Sequence, residues 1–533
     1  MIGKDVIAMK KRRKLFSALL AAAMLLSLTA CGQPSQSSSS GTGQDASQTQ
    51  DTSQGQDTPS GGVVTTTAGQ LQGTEQDGIY RYLGVPYAQA EERFVPAGAV
   101  EPWDGVRVAD TYGNISPQGA MFGMSGETQP GTDNNCQNLN LWTPGLGDGA
   151  KRPVMVWLHG GGFSTGSGND AMYDGTNLSR SGDVVVVTVN HRLNLFGFLD
   201  LSAYGEKYQD SANVGMTDIV AALEWIQDNI EAFGGDPDNV TVFGQSGGGA
   251  KVLALMSSPR AQGLFHKGIV QSGATETVGV SFTSQEASTK LTENFLRILN
   301  VSSDNIETLQ TLSEDDLQAA GAQALQETAQ EFQIPAALGE GYSMEWEPVV
   351  DGDFLPSHPV TEDSFAAAGA DIPLLIGSNL LEWSFFPSED PDVPQAVADA
   401  VREAYPDKTE LAPDRVDTLI RLPMLKIMSH KADQGGADVY AYLFTYGDSF
   451  HGAEIPYAFN NVSGTPEENA LAQQISQVWV SFARNGVPSA DGLPEWEAYT
   501  RESGATMLLD MESKLVHHHD QAVMALLAPD YVY

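Results

Sequence analysis

Six short runs are built almost wholly from Val, Ile, Leu and aromatic residues: 154–158, 184–189, 240–243, 268–270, 372–376 and 439–444. They are too short and too rich in β-branched residues for helices, and few polar residues interrupt them. They therefore read as strands buried on both faces, the mark of a parallel sheet. Parallel neighbours need long crossovers, and helical patterns fill the gaps between the runs. The clearest is 216–233, where Ile219, Leu223, Ile226, Ile230 and Phe233 recur by four and three residues along one face. The pattern predicts an α/β fold, a mostly parallel central sheet flanked by helices and wound by right-handed crossovers. In such a sheet, ligands gather outside the carboxyl ends of the strands.

Two of those ends carry unusual glycine clusters. HGGGF, residues 159–163, follows the first run, and GQSGGG, residues 244–249, follows the third. G-x-S-x-G between a strand and a helix is a nucleophile elbow: Gly244 and Gly248 permit a turn so tight that the Ser246 hydroxyl stands above the sheet. A helix predicted over 249–256 completes the setting. A serine hydroxyl is a weak nucleophile and needs both a base and donors for the oxyanion formed on attack. The glycines of HGGGF let main-chain N–H groups approach such a charge, and Gly247, next to the serine, supplies another. A phosphate-cradling loop would need a Gly-Lys-Ser/Thr pattern, which is missing.

Nine histidines compete for the role of base. His159 belongs to the glycine loop, His191 and His266 lie in segments that read as structural, and His358 and His430 have no suggestive neighbours. His517, His518 and His519 are consecutive, so a helix or strand cannot aim all three at one ion; they read as a surface cluster, and no metal site is expected. His451 follows the last run and lies C-terminal to Ser246. Glu382 follows the fifth run, giving the order Ser, acid, His with gaps of 136 and 69 residues. Asp351 and Asp353 are rival acids, although Asp-Gly-Asp reads as a turn, and Asp448 is close in sequence to the histidine.

The amino-terminal segment has a different character. A basic cluster, 10–14, precedes an apolar run, 15–30, too short to span a bilayer, so residues 1–30 read as a signal peptide, with Met9 an alternative start to Met1. The run closes on LTACG, which resembles a lipobox and makes Cys31 the expected lipidation site. Residues 31–62 then form a Ser, Gln and Gly-rich stalk without apolar residues to bury, with a reach on the order of 30 Å. The expected localisation is extracytoplasmic, tethered to the cell membrane by that lipid anchor alone. Cys136 is the only other cysteine, so no intramolecular disulfide is expected. The formal charge is −40, and about −45 without residues 1–30, which carry six of the 28 basic residues and one of the 68 acidic ones. Such a charge excludes nucleic acid as a partner. No second linker or repeat follows, and residues 63–533 are expected to form one domain.

Taken together, the motifs resemble the type-B carboxylesterases, the family of para-nitrobenzyl esterases and cholinesterases. The resemblance runs through YLGVPYA (82–88), CQNLNLWTP (136–144), HGGGF, VNHRLNLFGFL (189–199), the long segment 222–249 ending in GQSGGG, GSNLLEW (377–383), HGAEIPYAF (451–459) and FARNGVP (482–488). It implies an α/β-hydrolase fold and a catalytic triad of Ser246, Glu382 and His451. It also implies an oxyanion hole formed by the N–H groups of Gly161, Gly162 and Gly247, with Ser272 supporting the acid. There are departures. The family usually has Glu before the serine and Ala after it, where this chain has Gln245 and Gly247. Losing that carboxylate argues against a specialised choline-ester site. Residues 120–135 lack the tryptophan that binds choline in cholinesterases, Cys136 has lost its customary partner, and the stretch from Glu382 to His451 is short.

The expected activity is hydrolysis of small-molecule carboxylic esters through an acyl-enzyme, with no cofactor. Two alternatives stand beside it: a non-catalytic binding module, as in relatives that have lost the nucleophile, and a lipase or thioesterase using the same triad. The natural ester and the oligomeric state are left open by the sequence.

Overall fold

The computed structural model describes residues 62–119, 131–273, 282–336, 341–384 and 393–532. The signal peptide, Cys31 and nearly all of the expected stalk lie outside the described residues.

Eleven strands form one sheet: β1 (Thr74–Gln76), β2 (Ile79–Pro86), β3 (Asn138–Thr143), β4 (Arg152–Leu158), β5 (Val185–Val189), β6 (Gly235–Gln245), β7 (Lys267–Gln271), β8 (Leu374–Asn379), β9 (Val439–Phe444), β10 (Ala505–Leu509) and β11 (Lys514–His517). Their spatial order is β11-β10-β9-β8-β7-β6-β4-β5-β3-β2-β1. All six predicted strands are present, as β4 to β9, and each pairs in parallel with its neighbours in that set. The flanks are antiparallel: β1 to β3 add to β5 on one side, and β11 pairs with β10 on the other. A separate three-stranded sheet joins Val63–Thr65, Gln70–Gln72 and Val106–Val108.

The period-two geometry of a strand sorts these side chains onto two buried faces. In β4, Val154, Val156 and Leu158 enter one hydrophobic cluster while Met155 and Trp157 enter the other; in β9, Val439, Ala441 and Leu443 oppose Tyr440, Tyr442 and Phe444. Helices cover both faces. Helix α1 (Val214–Asn229), continued by a 3₁₀ turn at Ile230–Phe233, lays Ile219, Leu223, Ile226, Ile230 and Phe233 on the first. Helix α4 (Pro466–Asn485) lays Leu471, Ile475, Val478, Trp479 and Phe482 on the second. Its ends follow local chemistry: Thr465 and Glu468 form a capping box, Pro466 opens the first turn, and Gly486 closes the helix at φ 77°.

One buried ion pair ties the antiparallel side to α1. The Arg192 guanidinium contacts both carboxylate oxygens of Asp218, at 2.7 and 2.8 Å, with both side chains wholly buried. Gln137 donates to the same carboxylate and Val95 O accepts the remaining Arg192 nitrogen, so the pair is desolvated but fully hydrogen-bonded.

The chain runs from β4 outward to β5, then returns to place β6 on the other side of β4. That reversal opens the crevice in which doubly wound sheets hold ligands. Strand register fixes what meets there: Leu158 lies opposite Gly244, and Gln245 opposite Gln271, which in turn faces Gly377.

Candidate active site

Ser246 sits between β6 and helix α2 (Gly247–Ser257) with φ 56° and ψ −125°, a conformation that L residues rarely adopt. Its N–H donates to Gln271 O at 2.8 Å, and its own carbonyl accepts from Ala250 N–H at 3.1 Å, so backbone bonds hold the strained turn. The flanking glycines are required by close approach. A Cβ on Gly244 would lie 2.6 Å from Leu158 O, and one on Gly248 would overlap that same carbonyl. The Ser246 hydroxyl makes no cap bond to α2.

The HGGGF loop lies against this turn. Gly161 and Gly162 have φ of +88° and +61°, a region open to glycine, and an added Cβ on Gly160 would stand 3.4 Å from Ser246 Cβ. A Cβ on Gly247 would overlap the Gly162 carbonyl, so loop and helix meet backbone to backbone.

From β8 and the loop after it comes the carboxylate. Glu382 is wholly buried; its Oε1 accepts from Ser272 Oγ and Asn379 N–H, both at 2.7 Å, and its Oε2 bonds His451 Nδ1 at 2.6 Å. His451 N–H donates to Glu382 O at 2.8 Å, and Trp383 stacks on the imidazole with ring centroids 5.1 Å apart. The ring is thus held by one hydrogen bond, one backbone bond and one aromatic face. Asp351 is occupied elsewhere, accepting from Asn213 Nδ2 and from the N–H groups of Asp353 and Leu355, while Asp353 pairs with Arg260. Among the hydrogen bonds of the described residues, His451 bonds Glu382 through Nδ1 and none joins the ring to Ser246 Oγ.

Two further carboxylates stand behind the pair. Glu454, wholly buried, accepts from Gln271 Nε2 at 3.1 Å and Asn379 Nδ2 at 2.6 Å. Asp417 accepts from the N–H groups of Leu419, Ile420 and Arg421, just ahead of helix α3 (Arg421–Gln434), and donates its own N–H to Leu380 O. Burial and then the Glu382 charge raise the pKa of both. For His451, burial favours the neutral ring, but the charges of Glu382, Glu454 and Asp417 together outweigh it, and its pKa is raised above 6.5. Neither carboxylate is apparent from sequence, although Glu454 lies only three residues beyond His451.

Gln245 is almost fully buried, with its amide packed between Gly160 and Gly452. It therefore touches both the glycine loop and the histidine loop. Cys136 is buried and free, its thiol pKa pushed up by burial. The three consecutive histidines differ from the expected surface cluster. His517 is exposed and pairs with Glu497, whereas the His519 side chain is 7% exposed, packed edge-on to Tyr405 beside Asp520. The chain turns at His518, φ 46°, which swings one ring inward. Among the described residues no group of His, Cys, Asp and Glu is arranged to hold a metal ion.

Comparison with known proteins agrees with this architecture. The model of the carboxylesterase family matches residues 60–412 and 414–525. A para-nitrobenzyl esterase of Bacillus subtilis is 35% identical over 487 residues, covering 84% of this chain and 95% of that protein. A phenmedipham hydrolase of Pseudarthrobacter oxydans is 32% identical, covering 88% and 98%. Among solved structures, an esterase from Clostridium hathewayi that can hydrolyse aliphatic aromatic polyesters superposes with a TM-score of 0.78 at 34% identity, covering 88% and 98% of the two chains. Sheet order, elbow and relatives converge on one conclusion: the chain belongs to the carboxylesterase family, with an α/β-hydrolase fold, and is a carboxylic ester hydrolase.

Proposed function

We propose that the protein is a lipid-anchored, extracytoplasmic serine esterase in which Ser246, His451 and Glu382 act as nucleophile, base and orienting acid. The observation that carries this reading is the unbroken chain Ser272, Glu382, His451, at the same end of the sheet as a strained Ser246. Glu382 holds the proton on Nδ1, leaving Nε2 free to accept. As the serine oxygen bonds to the ester carbon, its proton passes to Nε2 and the carbonyl pair becomes an oxyanion, received by N–H groups of Gly161, Gly162 and Gly247. Collapse expels the alcohol, which takes the proton from the imidazolium. Water then attacks the acyl-enzyme with the same histidine as base, and the acid leaves.

A neutral Gln245 beside the nucleophile favours esters of uncharged alcohols over quaternary ammonium esters. Breadth toward aromatic esters follows the polyester-hydrolysing relative, and a panel of para-nitrophenyl, alkyl and aromatic diesters, varied separately in acyl and alcohol parts, measures it. A fluorophosphonate tests the site itself. Fluoride is expected to leave with the serine proton as HF and phosphorus to bond Ser246 Oγ, adding the reagent's mass less that of HF to the tryptic peptide that contains residue 246. An unlabelled serine would favour the non-catalytic module.

The base also predicts a pH profile. An imidazolium cannot accept the serine proton, so kcat/KM rises with pH as His451 deprotonates. Because the surrounding carboxylates raise that pKa, the acid limb is expected to have its midpoint above 6.5. A midpoint below 6 in a kcat/KM titration would contradict the assignment.

A further inference from the structure

The helix that follows Ser246 buries a lysine. Lys251 is wholly excluded from solvent, and its Nζ donates to His159 O and Gly162 O, both at 2.9 Å, while lying 5.3 Å from the centre of the Phe163 ring. No carboxylate offsets its charge among the described residues, and burial alone lowers its pKa to about 7. A buried ammonium held only by neutral carbonyls carries a desolvation cost, and removing it would take a donor from the carbonyls of His159 and Gly162. Burial by itself gives no reason for a lysine here.

What it holds does. The two carbonyls lie at opposite ends of residues 159–162, the stretch whose Gly161 and Gly162 occupy left-handed backbone conformations without regular secondary structure. One turn earlier on the same face of α2, at i−4, Gly247 leaves the gap into which the Gly162 carbonyl fits. The helix thus presents a gap and an ammonium to one loop. Around it, His159 and His191 stack at 5.0 Å, and burial, then the Lys251 charge, keeps both imidazoles neutral.

We propose that Lys251 is a positioning residue for ester hydrolysis: it clamps residues 159–162 onto α2 and so fixes the main-chain donors that receive the oxyanion. The proposal rests on Ser246 being the nucleophile. The clamp acts on the transition state, in which the carbonyl oxygen has become an anion, and leaves ground-state binding of the ester untouched.

The test is Lys251→Met in the full chain, with a short para-nitrophenyl ester as substrate and an alkyl trifluoromethyl ketone as inhibitor. The ketone carbon bonds Ser246 Oγ, the serine proton passes to His451, and the carbonyl oxygen becomes an alkoxide in the same loop. The expected result is a fall in kcat of about 10- to 100-fold at unchanged KM, with the inhibition constant of the ketone rising by a similar factor. Lys251→Gln, a neutral donor, should recover part of the loss. A kcat within threefold of the parent, or a loss confined to KM with ketone binding unchanged, overturns the proposal. If Lys251→Met does not fold, Lys251→Gln carries the same comparison, and failure of both to fold assigns the lysine to stability and also overturns it. A fully active Lys251→Met beside an inert Ser246→Ala sinks only the clamp; hydrolysis by Ser246→Ala sinks the reading of the site.

Discussion

Ser246→Ala is expected to lower kcat on short para-nitrophenyl esters by a factor on the order of 10⁵ or more, leaving only what binding and oxyanion donors contribute to attack by water. The fold should be indifferent to the change. The hydroxyl makes no cap bond to α2, so its loss strands no buried partner, and the strained φ of 56° is held by the N–H bond to Gln271 O whether the side chain is Ser or Ala. Thermal unfolding within about 1–2 °C of the parent should therefore accompany the loss of turnover. The pairing of the two readouts makes the result decisive. An inert, normally folded variant assigns the chemistry to the hydroxyl, whereas retained hydrolysis would move it to another group and leave the elbow without a role.

Much of this site is legible in the sequence because its parts sit at ends of strands that announce themselves. Runs such as VMVWL and VYAYLF are apolar on both faces, and a chain that buries both faces of a strand has few alternatives to a central parallel position. The sheet edges were not legible for the converse reason. β1 is Thr-Glu-Gln and β11 is Lys-Leu-Val-His, half-exposed segments whose identity as strands depends on a partner distant in sequence. β3, Asn-Leu-Asn-Leu-Trp-Thr, is wholly buried although every second residue at its start is polar, because Asn140 bonds Thr188 Oγ1 and Asn169 and Asn138 bonds Asn190 across the sheet. Satisfied polar groups bury as readily as apolar ones, and pattern alone cannot see the partner. Lys251 is the sharpest case. It is the one charged residue in Ala-Lys-Val-Leu-Ala-Leu, yet it is wholly buried against the glycine loop. The same non-local packing hides Glu454 and Asp417, whose meaning comes from Glu382, reached only when β8 and β9 align in register.

That carboxylate cluster makes Glu382→Gln informative beyond the loss of a charge. Asn379 N–H can only donate, and it lies 2.7 Å from Oε1, so the glutamine is expected to keep its oxygen at that position and turn its NH₂ toward His451. An NH₂ facing Nδ1 forces that nitrogen to accept, which places the ring proton on Nε2, the atom that must take the proton from Ser246. The geometry survives and the tautomer is inverted. A fall in kcat of about 10³- to 10⁴-fold is expected, with normal folding because the shape is unchanged. The acid limb should also move. Burial already favours the neutral ring, and removing the Glu382 charge removes the nearest influence that raises the His451 pKa, so the midpoint of the residual kcat/KM profile should shift to lower pH. Glu454 and Asp417, relieved of a neighbouring anion, should ionise more readily, and their charges oppose part of that shift. The predicted signature is thus a large loss of rate with a modest acid-ward displacement of the limb. A rate loss without displacement would mean that Glu382 orients the imidazole but does not set its charge, and the raised pKa would then have to come from the two carboxylates behind it.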